Sequence, residues 1–443
     1  MGDEKPTGFT LRSNPRVRVT FDAPNQTERA GVVLLSELMR RIEWDEHLER
    51  HLPFQRARGT VGYPTQVLIK QIVIAIALGA RRPEQIEIIR EDDAPRVVSG
   101  DEATASSVTV WRHLKEYTAE TYGRLRAFRT AITGELLTGW RGPLDVDTDG
   151  TVVTLYGDQE GAVKGYNPEH RGKKSYFPLV TMATGPGLVL SQKMRPGNSG
   201  AGAGDTDLLT EAYESLPAPL RGRMRSRLDC GHYGDATMQW HEQRRMPYAI
   251  KARQTGPLMA RVADLTWKPE AFNGRDVAFA EFYYRLSGTL KDRKVAAMRW
   301  PRKVRDAQGR MFQEETYEYE LIMTNLRVGP RKVFEFYNRR GQAETLISDV
   351  KEMGLGLAVT DEMLANEVWS ELVVIAYNLV AALRRQVQKK QGVRPKSRTF
   401  RDRFLNVAAT LVRHARIVWI RFKEGWSRAA QFERLWAYAA GPP

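Results

Sequence analysis

The sequence predicts a mixed α/β fold in which a central sheet carries helices on its faces. Three observations favour this fold class. The hydrophobic fraction is 42% over 443 residues, which is enough for a large buried core. Apolar residues recur at helical spacing before residue 138 and after residue 360. Between these regions, short β-type runs alternate with amphipathic helical segments.

The first region, 1–140, is predicted to be a helical DNA-binding domain. A polar, proline-containing stretch of about 25 residues begins it and is expected to be poorly ordered. A serine pair at 106–107 marks a helix start, and the helix after it would carry Arg112, His113 and Lys115 on its outside. A helix-turn-helix reader of a DNA groove fits this segment, and a helical bundle that only packs fits it equally well.

The second region, 141–253, is predicted to begin a sheet core. PLDVDTDGTVVTLYG, SYFPLVTMAT and GLVLSQKMRPG are predicted strands, and the glycine-rich turn GNSGAGAGD leads into a helix. Strand MRSRLDCG, a second helix and strand PYAIKAR complete this part. Three antiparallel strands followed by alternating helices and strands match the order of a ribonuclease-H-like core.

The remaining regions interrupt and extend this core. A β-rich insertion is predicted over 254–328, and the core's last helix over 329–360, with helical residues from 330 to 353. Region 361–443 is predicted to be helical, amphipathic and basic.

The charge balance favours a polyanionic partner. Lys and Arg number 68 against 53 Asp and Glu, which gives a net charge of +15. No stretch approaches the roughly 18 to 20 apolar residues of a spanning helix, and no apolar signal region begins the sequence, so no membrane is expected. A cytoplasmic protein that binds nucleic acid is therefore expected. The single cysteine, Cys230, excludes disulfides within the chain and a cysteine-cluster zinc site.

Several carboxylates are placed where they could hold metal ions. Asp145, Asp147 and Asp149 alternate along one predicted strand, so their side chains share a face. Asp229 follows a short strand, and Glu344 lies on the predicted last helix. Hard divalent cations prefer oxygen ligands, and two of them about 4 Å apart assist phosphoryl transfer. The structural alternatives are a turn or helix cap for Asp229 and a solvated helix face for Glu344.

The predicted last helix also carries a polar edge. At about 100° per residue, Arg340, Glu344 and Lys351 fall about 60°, 20° and 40° to one side of Tyr337. The apolar stripe beside this edge consists of Ala343, Leu346, Ile347 and Val350. The helix is therefore expected to pack along one edge and to present charge along the other.

These four polar residues have the spacing Y-x-x-R-x-x-x-E-x-x-x-x-x-x-K, which resembles the glutamate region of DDE transposases of bacterial insertion sequences. The segment DVDTDGTVVTLYGDQEGAVKGYNPEHRGKKSYFP resembles the first aspartate region of one subgroup, and LDCGHYGD resembles the second. The resemblance covers 144–355 well. It implies an enzyme that cleaves DNA at the ends of an element and joins the 3′-hydroxyl to target DNA by two-metal-ion phosphoryl transfer.

The resemblance also implies roles for single residues. Asp149, Asp229 and Glu344 would be the catalytic and metal-binding acids, with Asp147 as an alternative first carboxylate. They would hold two Mg²⁺ ions, for which Mn²⁺ can substitute. The implied partners are double-stranded terminal repeats and target DNA, bound by a homodimer on paired ends beside the bacterial nucleoid.

The residues implied to contact DNA are Tyr337, Arg340, Lys351, Arg171, Lys173, Lys174 and Trp300. The three in HRGKKS would touch phosphates unless this loop is only a solvated hairpin tip. Trp300 would stack on a flipped base, and a core or surface tryptophan is the structural alternative. His170 and His232 show neither metal-ligand spacing nor a partner in the sequence.

Other functions explain less of the sequence. A two-carboxylate glycosidase would need no excess positive charge. A DNA-binding regulator derived from a transposase would need no metal-binding acids. A nuclease or resolvase with the same core is the nearest rival, and it differs from a transposase because its products stop at cleavage.

Overall fold

The computed structural model describes residues 8–441 except 11, 15, 54–61, 101–102, 169, 201, 203–204 and 306–310. Parts of the predicted N-terminal arm and of the glycine-rich turn at 197–205 lie outside these residues. The mixed α/β class is confirmed, since a large mixed sheet is surrounded by many helices. None of the helices built from the described residues combines the length and apolar composition that crossing a bilayer requires.

The N-terminal region begins with short strands, although a poorly ordered arm was expected there. They are β1 (Gly8–Thr10), β2 (Arg18–Thr20) and β3 (Gln26–Thr27). The helices that follow are α1 (Val32–Arg41), α2 (Trp44–His51), α3 (Thr65–Leu78), α4 (Glu87–Arg90), α5 (Asp93–Ser99), α6 (Ser107–Lys115) and α7 (Ala119–Leu137). A 3₁₀ turn, Pro83–Ile86, precedes α4.

Helix α6 begins where the sequence predicted, but its outer face differs from the prediction. Ser106 caps the helix by accepting a hydrogen bond from the Thr109 amide at 3.3 Å. His113 is fully buried, so it is not available to DNA, whereas Lys115 lies at the surface and pairs with Asp361 and Glu362. The expectation that His113 points outwards was wrong, because the apolar side of α6 that packs into the core includes position 113.

The core region alternates strands and helices. Its first strands are β4 (Leu144–Gly150), β5 (Val153–Thr154), β6 (Val163–Lys164), β7 (Lys174–Tyr176), β8 (Leu179–Ala183) and β9 (Leu188–Lys193). Next come α8 (Asp205–Glu214), α9 (Ala218–Arg221), β10 (Met224–Leu228), the 3₁₀ turn Cys230–His232, α10 (Asp235–Gln243) and β11 (Tyr248–Lys251). The insertion contains α11 (Gly256–Ala263), β12 (Lys268–Phe272), β13 (Arg275–Arg285), β14 (Asp292–Arg305) and β15 (Met311–Thr324).

One sheet contains both the core strands and the insertion. Its order is β12-β13-β14-β15-β11-β10-β4-β8-β9. Strand β8 lies between β4 and β9 and pairs antiparallel with both, as predicted, whereas β4, β10 and β11 run parallel. The inserted strands continue the same sheet because β15 pairs with β11. The carboxyl ends of β4 and β10 therefore meet at one edge of the sheet.

The helix predicted over 330–353 is broken into two. Helix α12 (Pro330–Asn338) ends before Arg339, and α13 (Gly341–Glu352) starts after Arg340. The prediction of one continuous helix was wrong, because Gly341 directly follows the break and weakens helix continuity there. The apolar stripe of α13 is buried as predicted.

The C-terminal region is only partly helical. Its elements are α14 (Met363–Gln391), α15 (Ser397–Phe400), the π-helical stretch Arg401–Leu405, β16 (Ala409–His414), β17 (Ile417–Phe422) and α16 (Ala429–Ala440). The prediction of helix over 409–422 was wrong. Side chains Val418, Ile420 and Phe422 alternate towards the core, which is the period of a strand.

A single apolar cluster joins the N-terminal helices, the sheet and α14. Helix α14 is buried along much of its length, with Trp369 and Tyr377 almost fully enclosed. Buried Arg129 on α7 pairs with Glu371 on α14 and Glu211 on α8. The predicted domain boundaries stay predictions, because the regions they separate share this core.

Candidate active site

Acids on β4 face arginines on β10. The parallel register places Asp145 opposite Arg225 and Asp147 opposite Arg227. Arg227 donates from Nε to Asp147 Oδ1 at 2.8 Å and from Nη2 to Oδ2 at 2.6 Å, and both side chains are buried. Arg225 Nε donates to Asp145 Oδ1 at 2.7 Å. Both of these aspartates therefore already have a cation, although burial still raises the pKa of Asp147 to about 6.

The next position along the two strands breaks this pattern. Asp149 and Asp229 directly follow Thr148 and Leu228, which are register partners. An acid thus stands beside an acid at the carboxyl ends of neighbouring strands. Burial raises the pKa of Asp149, Arg340 lowers it, and the negative charge of Asp229 raises it further. This pair needs a positive charge that β10 does not provide.

Arg340 supplies part of that charge from the break between α12 and α13. Its Nη2 lies 3.0 Å from Asp149 Oδ2, and its Nη1 lies 3.9 Å from Glu344 Oε1. Burial opposes the charge of this guanidinium, but Asp149, Tyr337 and Asp229 outweigh burial and raise the pKa of Arg340. The guanidinium therefore links the first and third predicted carboxylates.

Glu344 opens into the same cleft as Asp149. It lies in the first turn of α13, and its side chain is 68% exposed. The cleft has a volume of about 580 Å³, and Arg81, Thr151, Tyr156, His170 and Lys351 also line it. Lys351 Nζ donates to the Val152 carbonyl at 3.3 Å, which holds the ammonium beside the loop after β4. Acids and cations thus meet in one open cleft beside the sheet edge.

The three predicted acids are not yet gathered into a ligand set. Among the described residues, no group of three or more His, Cys, Asp or Glu side chains is close enough to hold a metal ion. The donor chemistry nevertheless fits, since carboxylate oxygens are the ligands that Mg²⁺ prefers. A divalent cation would also relieve the repulsion between Asp149 and Asp229. The structure brings together Asp149 with Asp229, and Asp149 with Glu344, but not all three.

Tyr337 is placed differently from the other members of its spacing pattern. It lies near the end of α12, is 6% exposed and packs in an apolar cluster with Phe334 and Phe336. Burial raises the pKa of its phenol. The expectation that Tyr337 and Glu344 share one exposed helix edge was wrong, because the break at 339–340 separates them.

His232 has partners that the sequence did not reveal. Its Nδ1 lies 2.6 Å from Asp205 Oδ2, and its Nε2 lies 3.6 Å from Asp229 Oδ1. The Gly231 amide donates to Asp229 Oδ1 at 2.8 Å. The spacing of three residues in a 3₁₀ turn could have indicated the contact with Asp229. Asp205 could not have been found this way, because it lies on another helix.

The residues predicted to contact DNA outside α12 and α13 differ in their exposure and in whether they already have a partner. Arg171 and Lys173 are exposed in the loop before β7, whereas Lys174 pairs with Asp158. Trp300 is half-buried on β14, packs on an apolar cluster, and donates from Nε1 to Glu318 Oε2 at 3.0 Å. These contacts favour the alternative that Trp300 is a structural tryptophan rather than a base-stacking one.

Comparisons with known proteins identify the family of the chain. Residues 9–440 match the family described as transposase DDE domain group 1. The cryo-EM structure of piggyBac transposase in a synaptic complex with hairpin DNA has a TM-score of 0.42 and 9% identity, covering 85% of this chain and 78% of that chain. A likeness of this size is too weak to support a statement about function. No curated protein matches the chain.

Proposed function

Because the chain belongs to the transposase DDE domain group 1 family, we propose that it cleaves DNA at insertion-sequence ends and joins the freed 3′-hydroxyl to target DNA. The observation that carries this proposal is the acid pair Asp149 and Asp229 beside Glu344 and Arg340. The two preceding acids on β4 are neutralised by arginines, so Asp149 rather than Asp147 is left to bind a cation. Asp147 is accordingly proposed as a structural residue.

The core is proposed to be ribonuclease-H-like. Support comes from the order β9-β8-β4-β10-β11, in which three antiparallel strands are followed by two parallel ones. Asp149 lies near the carboxyl end of β4, and Asp229 directly follows β10, at the edge where ligands bind in sheets of this kind.

Transposases of the DDE class use divalent metal ions, and we propose two Mg²⁺ ions, with Mn²⁺ able to substitute. Asp149 and Asp229 would hold them, and Glu344 would complete the set. When bound, such ions activate the attacking oxygen and stabilise the leaving oxygen of a phosphodiester. The chain's own contribution at Asp149 is the positive charge of Arg340, which opposes the rise in the pKa of Asp149 that burial causes.

Cations in and beside the cleft are proposed to hold the DNA backbone. Arg340 pairs with Asp149, and its Nε and Nη2 make no hydrogen bond with a described residue, so these donors could receive a phosphate. Lys351 is fixed by the Val152 carbonyl in the same cleft. Exposed Arg171 and Lys173 would extend this contact, whereas Lys174, Tyr337 and Trp300 would first have to leave their present partners.

A cleavage and joining assay tests the proposed function. Wild-type protein is incubated with labelled duplexes of the element's ends and a supercoiled target, with Mg²⁺ or with EDTA. We expect end cleavage and end-to-target joining with Mg²⁺, and neither with EDTA, because the acids then lack their cations.

The other outcomes separate the rival functions. Cleavage without joining would make the protein a nuclease or resolvase. Binding without cleavage would make it a regulator. The homodimer on paired ends and the location beside the nucleoid stay predictions, and sedimentation of the protein with paired ends addresses the dimer.

A further inference from the structure

A basic two-stranded ribbon, formed by β16 and β17, precedes α16 in the C-terminal region. Strands β16 and β17 pair antiparallel through six residues each, which is about 20 Å at 3.3 Å per residue. Strand β3 pairs with β16 only at Ala409 and Thr410, and the Asn25 carbonyl accepts from the Leu411 amide. Beyond Leu411 the ribbon has no further strand beside it in the described structure. Both of its edges are therefore open towards the turn.

The ribbon carries positive charge that no acid neutralises. Residues 409–423 contain Arg413, Arg416, Arg421 and Lys423, and neither Asp nor Glu. All four cations are exposed. None of them forms an ion pair or a side-chain hydrogen bond with any residue that the structure describes. Elsewhere on the surface many arginines are paired, as Arg124 is with Glu120 at 2.9 Å.

One face of the ribbon exposes apolar surface beside Arg421, whereas Arg413 is the register partner of Val418 on the opposite face. Ile417 and Trp419 are 58% and 52% exposed, and the register places Val412 opposite Trp419. The opposite face is packed on the core, where Phe422 stacks on Trp426 with ring centroids 5.5 Å apart. The base of the ribbon is thus anchored, and its outer face is held out in a fixed orientation.

We propose that this ribbon is a second DNA-contacting surface, which inserts into a groove of the duplex outside the catalytic cleft. The major groove is about 12 Å wide and admits a two-stranded β-ribbon. Arginines along the ribbon would face the phosphates on either side, and Trp419 with Ile417 would meet base edges and thymine methyl groups. This inference rests on the proposed function, because the ribbon would bind the same duplex whose end is cut in the catalytic cleft. Charge complementarity selects DNA over a second copy of this basic chain.

The test compares duplex binding by the full-length wild type and by the double variant Arg416→Gln/Arg421→Gln, which removes the arginine of the turn and the strand arginine that shares a face with Trp419. Dissociation constants for a labelled duplex of the element's end are measured by fluorescence anisotropy at several salt concentrations. We expect roughly tenfold weaker binding, and a slope of log K against log salt that is shallower by about 1.8, since each lost phosphate contact removes about 0.9. Trp419→Ala is expected to weaken binding severalfold at an unchanged slope.

The matched control is the double variant Arg285→Gln/Arg398→Gln, which removes two exposed arginines that already pair with Asp292 and Asp402 and should leave affinity and slope unchanged. Variants that bind with wild-type affinity and slope, while the wild type still cuts DNA, would overturn the ribbon proposal alone. A Trp419→Ala variant that dissociates a dimer in light scattering, without weaker DNA binding, would assign the ribbon to a subunit contact and overturn it too. A wild type that binds no duplex would instead defeat the proposed function.

Discussion

Glu344→Gln is expected to lower the rate of end cleavage by at least about a thousandfold while binding of the duplex stays within about twofold of the wild type. The substitution keeps the size of the side chain and removes only its charge. Glu344 is exposed and packs against little, so the fold should not change. Single-turnover cleavage with Mg²⁺ and anisotropy without metal measure the two quantities separately.

Glu352→Gln is the matched control for this prediction. Glu352 lies on the same helix and lines the same cleft, but it pairs with Lys396 at 3.2 Å outside the acid pair. It should cleave within a few-fold of the wild type, since exposed ion pairs contribute little. If Glu344→Gln cut DNA as fast as Glu352→Gln, Glu344 would be an ordinary surface residue.

Arg227→Met is expected to lower the free energy of unfolding by about 3–5 kcal/mol, because it leaves the buried Asp147 carboxylate without its cation. Arg227 also donates to the Phe336 carbonyl at 3.2 Å and to Thr184 Oγ1 at 3.0 Å. All of these hydrogen bonds would be lost together. Urea-induced unfolding followed by tryptophan fluorescence measures the difference.

Arg225→Met provides the comparison, since the Arg225–Asp145 pair is more exposed and should contribute at most about 1 kcal/mol. The double variant Asp147→Leu/Arg227→Met should recover most of the stability, because an apolar pair can replace a buried ion pair. If Arg227→Met were no less stable than Arg225→Met, Asp147 would not depend on Arg227, and its assignment as a structural residue would fail.

The core of the fold could be predicted from the sequence because its signals are local. Consecutive residues predict β4 by their alternation and predict β8 and β9 by their continuous apolar runs. The ribbon at 409–422 was predicted as helix, although Val418, Ile420 and Phe422 alternate, because its neighbours carry helical spacing. Gly341 was likewise a visible signal for the break before α13. The continuous apolar stripe nevertheless favoured the prediction of one unbroken helix.

The site was harder to predict because its decisive contacts are distant in sequence. Asp145, Asp147 and Asp149 look equivalent along β4, and only the register with β10 distinguishes them. Two face arginines, and the third stands beside Asp229. No local pattern fixes the register between strands 80 residues apart, as Arg227 and Asp147 are. The contact of His232 with Asp205 could not be predicted either, because these two residues are also distant in sequence.

The most direct test of the central claim is anomalous diffraction from crystals of the protein with a duplex end and Mn²⁺. We predict an anomalous peak in contact with carboxylate oxygens of both Asp149 and Asp229, with Glu344 drawn towards it and Arg340 in contact with a phosphate. A peak bound elsewhere, with Asp149 still paired only to Arg340, would contradict the claim that these three acids form the catalytic metal site.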